Sequence, residues 1–161
     1  MNIMLFGNTG SGKSTLAKLL ASRHNFKHVN TGRLTRMMAS FGCRNLPILV
    51  QDMIKTMSPN DNHIFDHFYM HTYKQLDDLF GPPIVVAVED RRTKREPVDS
   101  YKYQRFIDQL PRIHMFMTTN RIVPIKVYNT DYGFDVSELI RADVLPFSEF
   151  AVLKPEVPNE K

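Results

Sequence analysis

The residue types and spacing richest in chemistry lie between Ile3 and Thr15, which read I-M-L-F-G-N-T-G-S-G-K-S-T. Within them is the pattern G-x-x-x-x-G-K-S, a loop suited to phosphate. Gly7, Gly10 and Gly12 admit turns closed to bulkier residues and let backbone N–H groups approach a polyphosphate. Asn8, Thr9 and Ser11 fill the loop, and Ser14 and Thr15 open the following helix, whose N-terminal donors favour an anion. Lys13 supplies a mobile positive charge for the β- and γ-phosphates, and Ser14 a hydroxyl for Mg2+. The plain alternative is an ordinary glycine-rich turn. The full eight-position pattern at a strand–helix junction argues against it, and the expected ligand is a nucleoside triphosphate.

Further candidates lie along the chain. Asp66 follows the apolar Ile64 and Phe65, the position of a carboxylate that organises Mg2+ directly or through its water shell; a strand-end Asp can equally cap the next helix. Arg91, Arg92, Lys94 and Arg95 stand together between a strong strand and a helix. Phosphoryl transfer spreads negative charge over the transferring group, and guanidinium groups clamp it better than ammonium groups. A loop carrying them could close over the site and expel water, although Glu89, Asp90 and Glu96 could neutralise part of the run. Arg105, on the helix behind, could face the same way. Arg33, Arg36 and Arg44 could hold an acceptor phosphate or be exposed helix arginines. His63, His67 and His71 recur every fourth residue, but Asp66 and its strand run through the same region, so a zinc spacing is read as accidental. The scattered Met and Phe residues read as core or as the lining of an apolar base pocket.

The elements that must position these groups follow from periodicity. Ile3–Phe6 is too short for a globular helix and reads as a buried strand. A helix from Lys13 to about His24, a strand at Lys27–Val29, and helices at Gly32–Phe41 and Leu46–Met57 follow, Asn45 capping the last with Pro47 in its first turn. A strand ends at Phe65. A helix over His71–Phe80 stops at Gly81-Pro82-Pro83, and Ile84–Val88 is a strand with four of its five residues β-branched. Tyr103, Phe106, Ile107 and Leu110 give a helix from Asp99 with a break or kink at Pro111. Val123–Tyr128 is the last strand and Phe134–Ala142 the last helix.

Five strands alternating with helices imply an α/β three-layer sandwich around a five-stranded parallel sheet. Ligands of such sheets bind beyond the C-terminal strand ends, where Gly7, Thr31, Asp66, Glu89 and Asn129 fall. Residues 1–145 are expected to form one domain, with 30–60 as acceptor-binding helices and 89–99 as a lid-like segment. Residues 146–161, with three prolines, read as a C-terminal tail, docked or frayed.

A chain of 161 residues can bury a core without disulfides, and its single cysteine, Cys43, excludes an internal disulfide or a cysteine-built metal site. No apolar run reaches the length of a membrane span, and the first residues read as a strand rather than a secretory signal. The expectation is a soluble cytoplasmic protein, host-cytoplasmic if viral, with no membrane partner. The formal charge of +4 is unevenly spread: Met1–Gln51 hold seven Lys/Arg and no acid, whereas Asp131–Lys161 hold seven acids against three bases. A basic half around the loop suits an anionic substrate, nucleic acid included.

Assembled, these residues resemble the nucleoside monophosphate kinase family, adenylate kinase-like members included. His28-Val29-Asn30-Thr31-Gly32-Arg33-Leu34-Thr35-Arg36 resembles the family's strand followed by T-G-x-L-x-R, with Arg33 where Asp is common. Asp66-His67-Phe68-Tyr69-Met70-His71-Thr72-Tyr73-Lys74-Gln75 resembles D-G-F-P-R-T-x-x-Q, one residue longer and without the proline and arginine. The resemblance implies a P-loop kinase fold with a short lid. It also implies acceptor contacts from Thr31, Gly32, Arg36, Phe68 and Gln75, the last reading the edge of the acceptor base. Arginines among Arg91, Arg92 and Arg95 would reach the transferring phosphoryl group. Asn129 and Thr130 would lie in the loop packing on the donor base. A looser comparison to thymidylate kinases runs through Asp66 and the aromatic near it.

The resulting expectation is transfer of the γ-phosphoryl group of ATP, with Mg2+ organised by Ser14 and Asp66, to a nucleoside monophosphate, a deoxynucleotide being favoured. One alternative moves the acceptor to a hydroxyl of a nucleoside, small metabolite or nucleic acid, with Asp66 as the base. Another is a nucleotide-binding interaction protein without turnover. The oligomeric state is not legible.

Overall fold

The computed structural model describes residues 1–30, 46–95 and 97–155. Thr31, Gly32, Arg33, Arg36 and Arg44, the expected helix at Gly32–Phe41, and Glu96 lie outside the described residues.

Strand β1 (Asn2–Gly7) runs through the middle of the sheet. Its side chains alternate across the two faces: Ile3 and Leu5 enter one core cluster and Met4 the other. The chain continues through α1 (Lys13–His24), β2 (Lys27–Val29), α2 (Leu46–Lys55), β3 (His63–Phe65), α3 (Met70–Phe80), β4 (Ile84–Asp90) and α4 (Ser100–Thr119). It ends through β5 (Ile125–Thr130), β6 (Gly133–Asp135), α5 (Ser137–Arg141) and β7 (Val152–Leu153). On one face, Leu16, Ala17, Leu19 and Leu20 of α1 and Leu139 of α5 pack with Phe134 and Leu153. On the other, Ile54 of α2, Tyr73 and Leu76 of α3, and Ile113 and Met117 of α4 pack around Phe65 and Val85.

The sheet order is β2-β3-β1-β4-β5-β6-β7. Strands β2, β3, β1, β4 and β5 are mutually parallel, whereas β6 and β7 pair antiparallel beyond β5. The expected three-layer sandwich on a five-stranded parallel sheet is therefore corrected to a seven-stranded mixed sheet. The error has two local causes. Residues 134–142 have helix-like apolar spacing, yet Gly133 (φ 126°) turns the chain back so that Asp135 pairs with Tyr128. The helix begins only at Ser137. Val152 and Leu153, in the proline-containing tail, pair with Asp135 and Phe134 and bury Leu153.

Two smaller differences follow from proline placement. Pro124 precedes β5 and so removes no ladder hydrogen bond. Pro111 does not end α4, which runs unbroken to Thr119 from a cap in which Asp99 accepts a hydrogen bond from the Lys102 N–H.

β1 lies between β3 and β4, so the chain's direction of winding changes beside it. The crevice beyond the C-terminal ends of these strands is where an open α/β sheet receives its ligand.

Candidate phosphate-binding site

The loop after β1 begins where only glycine fits. A Cβ on Gly7 would lie 2.6 Å from the Val88 carbonyl oxygen of β4. Gly12 stands at φ 103° as the residue preceding α1, and a Cβ there would meet Asn129 Nδ2 at 2.6 Å and Phe134 Cζ at 3.0 Å. Between them the loop is tightly bonded. Lys13 Nζ donates to Gly7 O (2.6 Å) and Asn8 O (3.1 Å). The Ser11 N–H donates to Asn8 O at 3.1 Å, and Asn129 Nδ2 donates to Ser11 O at 2.9 Å. Asn8 Oδ1 and Ser11 Oγ are buried without a partner among the described residues. Ser14 and Thr15 are exposed on the first turn of α1, and Thr9 is half-buried.

Burial of Lys13 pushes its ammonium group down from 10.5 to about 8, with the charge of Asp66 opposing the fall. Asp66 follows β3, is 1% exposed, and is gripped from both sides. His28 Nε2 lies 3.1 Å from Oδ2 and His67 Nδ1 2.9 Å from Oδ1. The structure thus places Lys13 and Asp66 in electrostatic contact at the same edge. The histidine pair was invisible in sequence because His28 reaches Asp66 only through the parallel pairing of β2 with β3. His63 is buried in β3 whereas His71 is exposed on α3, so the every-fourth-residue spacing does not fall on one helical face.

The charged segment after β4 is folded onto the loop. Arg92 grips Asp90 with Nε to Oδ1 (2.9 Å) and Nη2 to Oδ2 (2.8 Å), and the same Nη2 donates to Gly10 O at 2.8 Å. Arg92 lowers the Asp90 carboxyl below its ordinary range, chiefly through this side-chain hydrogen bond. Arg95 Nη2 donates to the Asp90 carbonyl at 2.9 Å. Arg91 is exposed, and its guanidinium carbon stands 3.8 Å from the centre of the Tyr128 ring. Thr93 is tied to Asp131 through both its N–H (3.0 Å) and its hydroxyl (2.9 Å). Asp90 and Asp131 are the groups that sequence reasoning missed. The first looked like a local neutraliser, and nothing in the sequence signalled that the second faces the segment from the β5–β6 turn.

The remaining candidates separate. Asn129 is buried and bonded to the loop, while the Thr130 hydroxyl donates to Gly133 O inside the β5–β6 turn. Phe68 is buried, edge-on to Phe6 at 6.2 Å. Gln75 is half-buried on α3, and its Oε1 is buried without a partner among the described residues. Arg105 is exposed on α4. No group of three or more His, Cys, Asp or Glu suited to a metal ion occurs among the described residues. No described helix is long and apolar enough to cross a membrane.

Residues 3–79 match the family model described as cytidylate kinase. Over 62 residues the chain is 40% identical to a cytidylate kinase of Mesomycoplasma hyopneumoniae, covering 37% of this chain and 27% of that relative. Over 128 residues it is 30% identical to an adenylate kinase of Mycoplasma mycoides subsp. mycoides, covering 76% of this chain and 60% of the relative. A shorter match, 53% identical over 36 residues, is to an adenylate kinase of Methanothrix thermoacetophila, 22% of this chain and 17% of the relative. The chain spans less than two thirds of the length of each of these relatives. The loop and these matches together support assignment of the chain to the P-loop nucleoside monophosphate kinase family.

Proposed function

We propose that the chain transfers the γ-phosphoryl group of ATP to the phosphate of a nucleoside monophosphate, of the cytidylate or adenylate class named by its relatives. The observation that carries this reading is the loop geometry. Its carbonyls at Gly7, Asn8, Gly10 and Ser11 all accept hydrogen bonds from the protein. Those oxygens are therefore held, and the loop's remaining peptide donors are available to an anion.

The residues also fit a bound magnesium ion. Ser14 is exposed at the start of α1, Asp66 follows β3, and two side-chain oxygens of the loop are without a partner among the described residues. Mg2+ keeps most of its waters and takes one or two protein groups with substrate phosphates. Ser14, and Asp66 through water, would hold the ion, which supplies neutralisation of the phosphate charge.

The chain's own groups then have distinct tasks. Lys13 exchanges its bonds to Gly7 O and Asn8 O for the β- and γ-phosphates, while Arg92 still holds Gly10 O, Asn129 still holds Ser11 O and the Ser11 N–H still donates to Asn8 O. An acceptor phosphate oxygen attacks γ-phosphorus in line, the bond to the bridging β–γ oxygen breaks, and its electron pair leaves with ADP. The acceptor is already an anion, so no general base is required. Both oxygens of Asp66 are engaged by His28 and His67, which supports a positioning task over proton abstraction. Gln75 Oε1, buried and without a partner among the described residues, is suited to an exocyclic amine of the acceptor base, a group that both cytosine and adenine present. Arg91, Lys94 and Arg95 are exposed cations of the segment after β4, of which the two arginines are assigned to the transferring group, and Thr31 and Arg36 are assigned to the acceptor phosphate by the family resemblance.

The test is ADP release from Mg-ATP across the ribo- and deoxynucleoside monophosphates, with nucleosides and short DNA as parallel acceptors. Stimulation by one or two monophosphates is expected. Stimulation by a nucleoside or DNA alone would move the acceptor oxygen to a hydroxyl and overturn the reading.

A further inference from the structure

The charged segment after β4 offers three arginines to the phosphate site, and they are not equivalent. The side chain of Arg92 is 31% exposed, against 55% for Arg91 and 59% for Arg95. Its Nε and Nη2 are both committed to the carboxylate of Asp90, and Nη2 is shared with the carbonyl of Gly10 in the middle of the phosphate loop.

The carbonyl that Arg92 takes is informative. A trans peptide is planar, with its C=O and the next N–H pointing in opposite directions. Fixing Gly10 O on one side and the Ser11 N–H on Asn8 O on the other leaves the peptide between them no freedom to rotate. Gly10 sits at φ 77°, where glycine can exchange readily with other conformations unless it is held. The next peptide is fixed the same way, because Asn129 holds Ser11 O and the Gly12 N–H must point away from it. Arg92 and Asn129, from the ends of neighbouring strands β4 and β5, therefore hold consecutive peptides of the loop.

We infer that Arg92 is a positioning residue of the phosphate loop, with Asp90 as the carboxylate that aims it, rather than a ligand of the transferring phosphoryl group. The inference rests on the proposed triphosphate site and assigns its residues a division of labour. A bidentate carboxylate–guanidinium pair fixes direction as well as charge, so Asp90 aims Arg92 at Gly10 O. The segment around it is anchored rather than freely swinging, since the Arg91 N–H donates to Asn129 O and Thr93 is bonded twice to Asp131. Its far end also lies against the loop, where a Cβ on Gly10 would come within 3.1 Å of Val98 Cγ2.

The two roles for Arg92 predict opposite responses to Asp90→Asn. If Arg92 braces the loop, neutralising Asp90 loosens it and nucleotide binding weakens. If Arg92 is a phosphate ligand that Asp90 holds in reserve, the same change frees it and binding or turnover rises. Calorimetric titration of the full chain with ADP and ATP, alongside steady-state turnover, reads the difference. Asp90→Asn and Arg92→Lys are each expected to weaken ADP and ATP binding about tenfold and equally, raising KM for ATP while kcat falls less than threefold. A charge-swapped double variant, Asp90→Arg with Arg92→Asp, recovers none of this, because the guanidinium would then start from the wrong residue to meet Gly10 O.

ATP binding unchanged or tightened by Asp90→Asn overturns the inference. So does a fall of a hundredfold or more in kcat for Arg92→Lys with ADP affinity unchanged, which marks a transition-state contact. A wild-type chain that binds nucleotide but transfers phosphate to no acceptor defeats the proposed function while leaving this binding comparison intact. A wild-type chain that binds no nucleotide overturns both. Unfolding midpoints close to wild type keep the two single variants interpretable.

Discussion

At the residue scale, the loop is a place where small changes have large and separable effects. An alanine at Gly12 would take a left-handed backbone and drive its Cβ onto Asn129 and Phe134. Gly12→Ala should cost about 2 kcal/mol or more in stability, read as a lowered denaturant midpoint. Lys13→Met should behave differently. Its burial penalty, the fall from 10.5 to about 8, corresponds to roughly 3 kcal/mol, and that is relieved. The two charge-assisted bonds to Gly7 O and Asn8 O, worth about 1.5–3 kcal/mol each, are lost. The lost bonds match or exceed the relief, so stability should fall by about 0–3 kcal/mol while turnover falls about 10²–10³-fold. A variant that kept its turnover would remove Lys13 from the reaction. Much of this site could be read in the sequence, because glycine positions and the lysine are dictated by a local motif. The partners of Asp66 and Arg92 could not, since they come from other strands and from a turn whose register no local pattern reports.

At the element scale, strand β3 brings a buried imidazole as well as Asp66 into the sheet. His63 Nδ1 has no partner among the described residues, and burial, assisted by Lys27 and the N-terminus, holds its pKa below the ordinary 6.5 while Asp61 opposes. The unfolded chain therefore binds this proton more readily than the folded one, so stability rises with pH across the window just below 6.5 and is lost as pH falls through it. Unfolding followed from pH 7 to pH 5 should show a smaller loss for His63→Gln than for wild type. Equal slopes would assign the acid loss to other groups. Strand β7 supplies the other test. Leu153 is buried against Phe134, within the segment that read as a docked or frayed tail. Leu153→Ala should cost about 2–5 kcal/mol in denaturant unfolding, as for a core leucine, whereas a frayed tail would show no change. Two-residue strands carry too short a pattern to be seen in sequence, and prolines nearby pointed the other way. The longer strands β1 and β4, with apolar and β-branched runs, were legible for the opposite reason.

At the scale of the whole molecule, the parallel half of the sheet brings Gly7, Asp66, Asp90 and Asn129 to one edge, while β6 and β7 extend the sheet on the far side of β5. The alternation of strands and helices revealed the first half; the hairpin return at Gly133 concealed the second. On the proposed reading this edge holds a polyphosphate against the bonded loop, and the central claim is that the γ-phosphoryl group leaves it for another phosphate. The most direct measurement follows the label itself: the 161-residue chain, Mg-ATP labelled in the γ-phosphate, and a mixture of nucleoside monophosphates, with products separated after partial turnover. Label in the β-phosphate of a nucleoside diphosphate is the expected result. Label on a nucleoside or oligonucleotide hydroxyl, or in inorganic phosphate alone, would contradict the account.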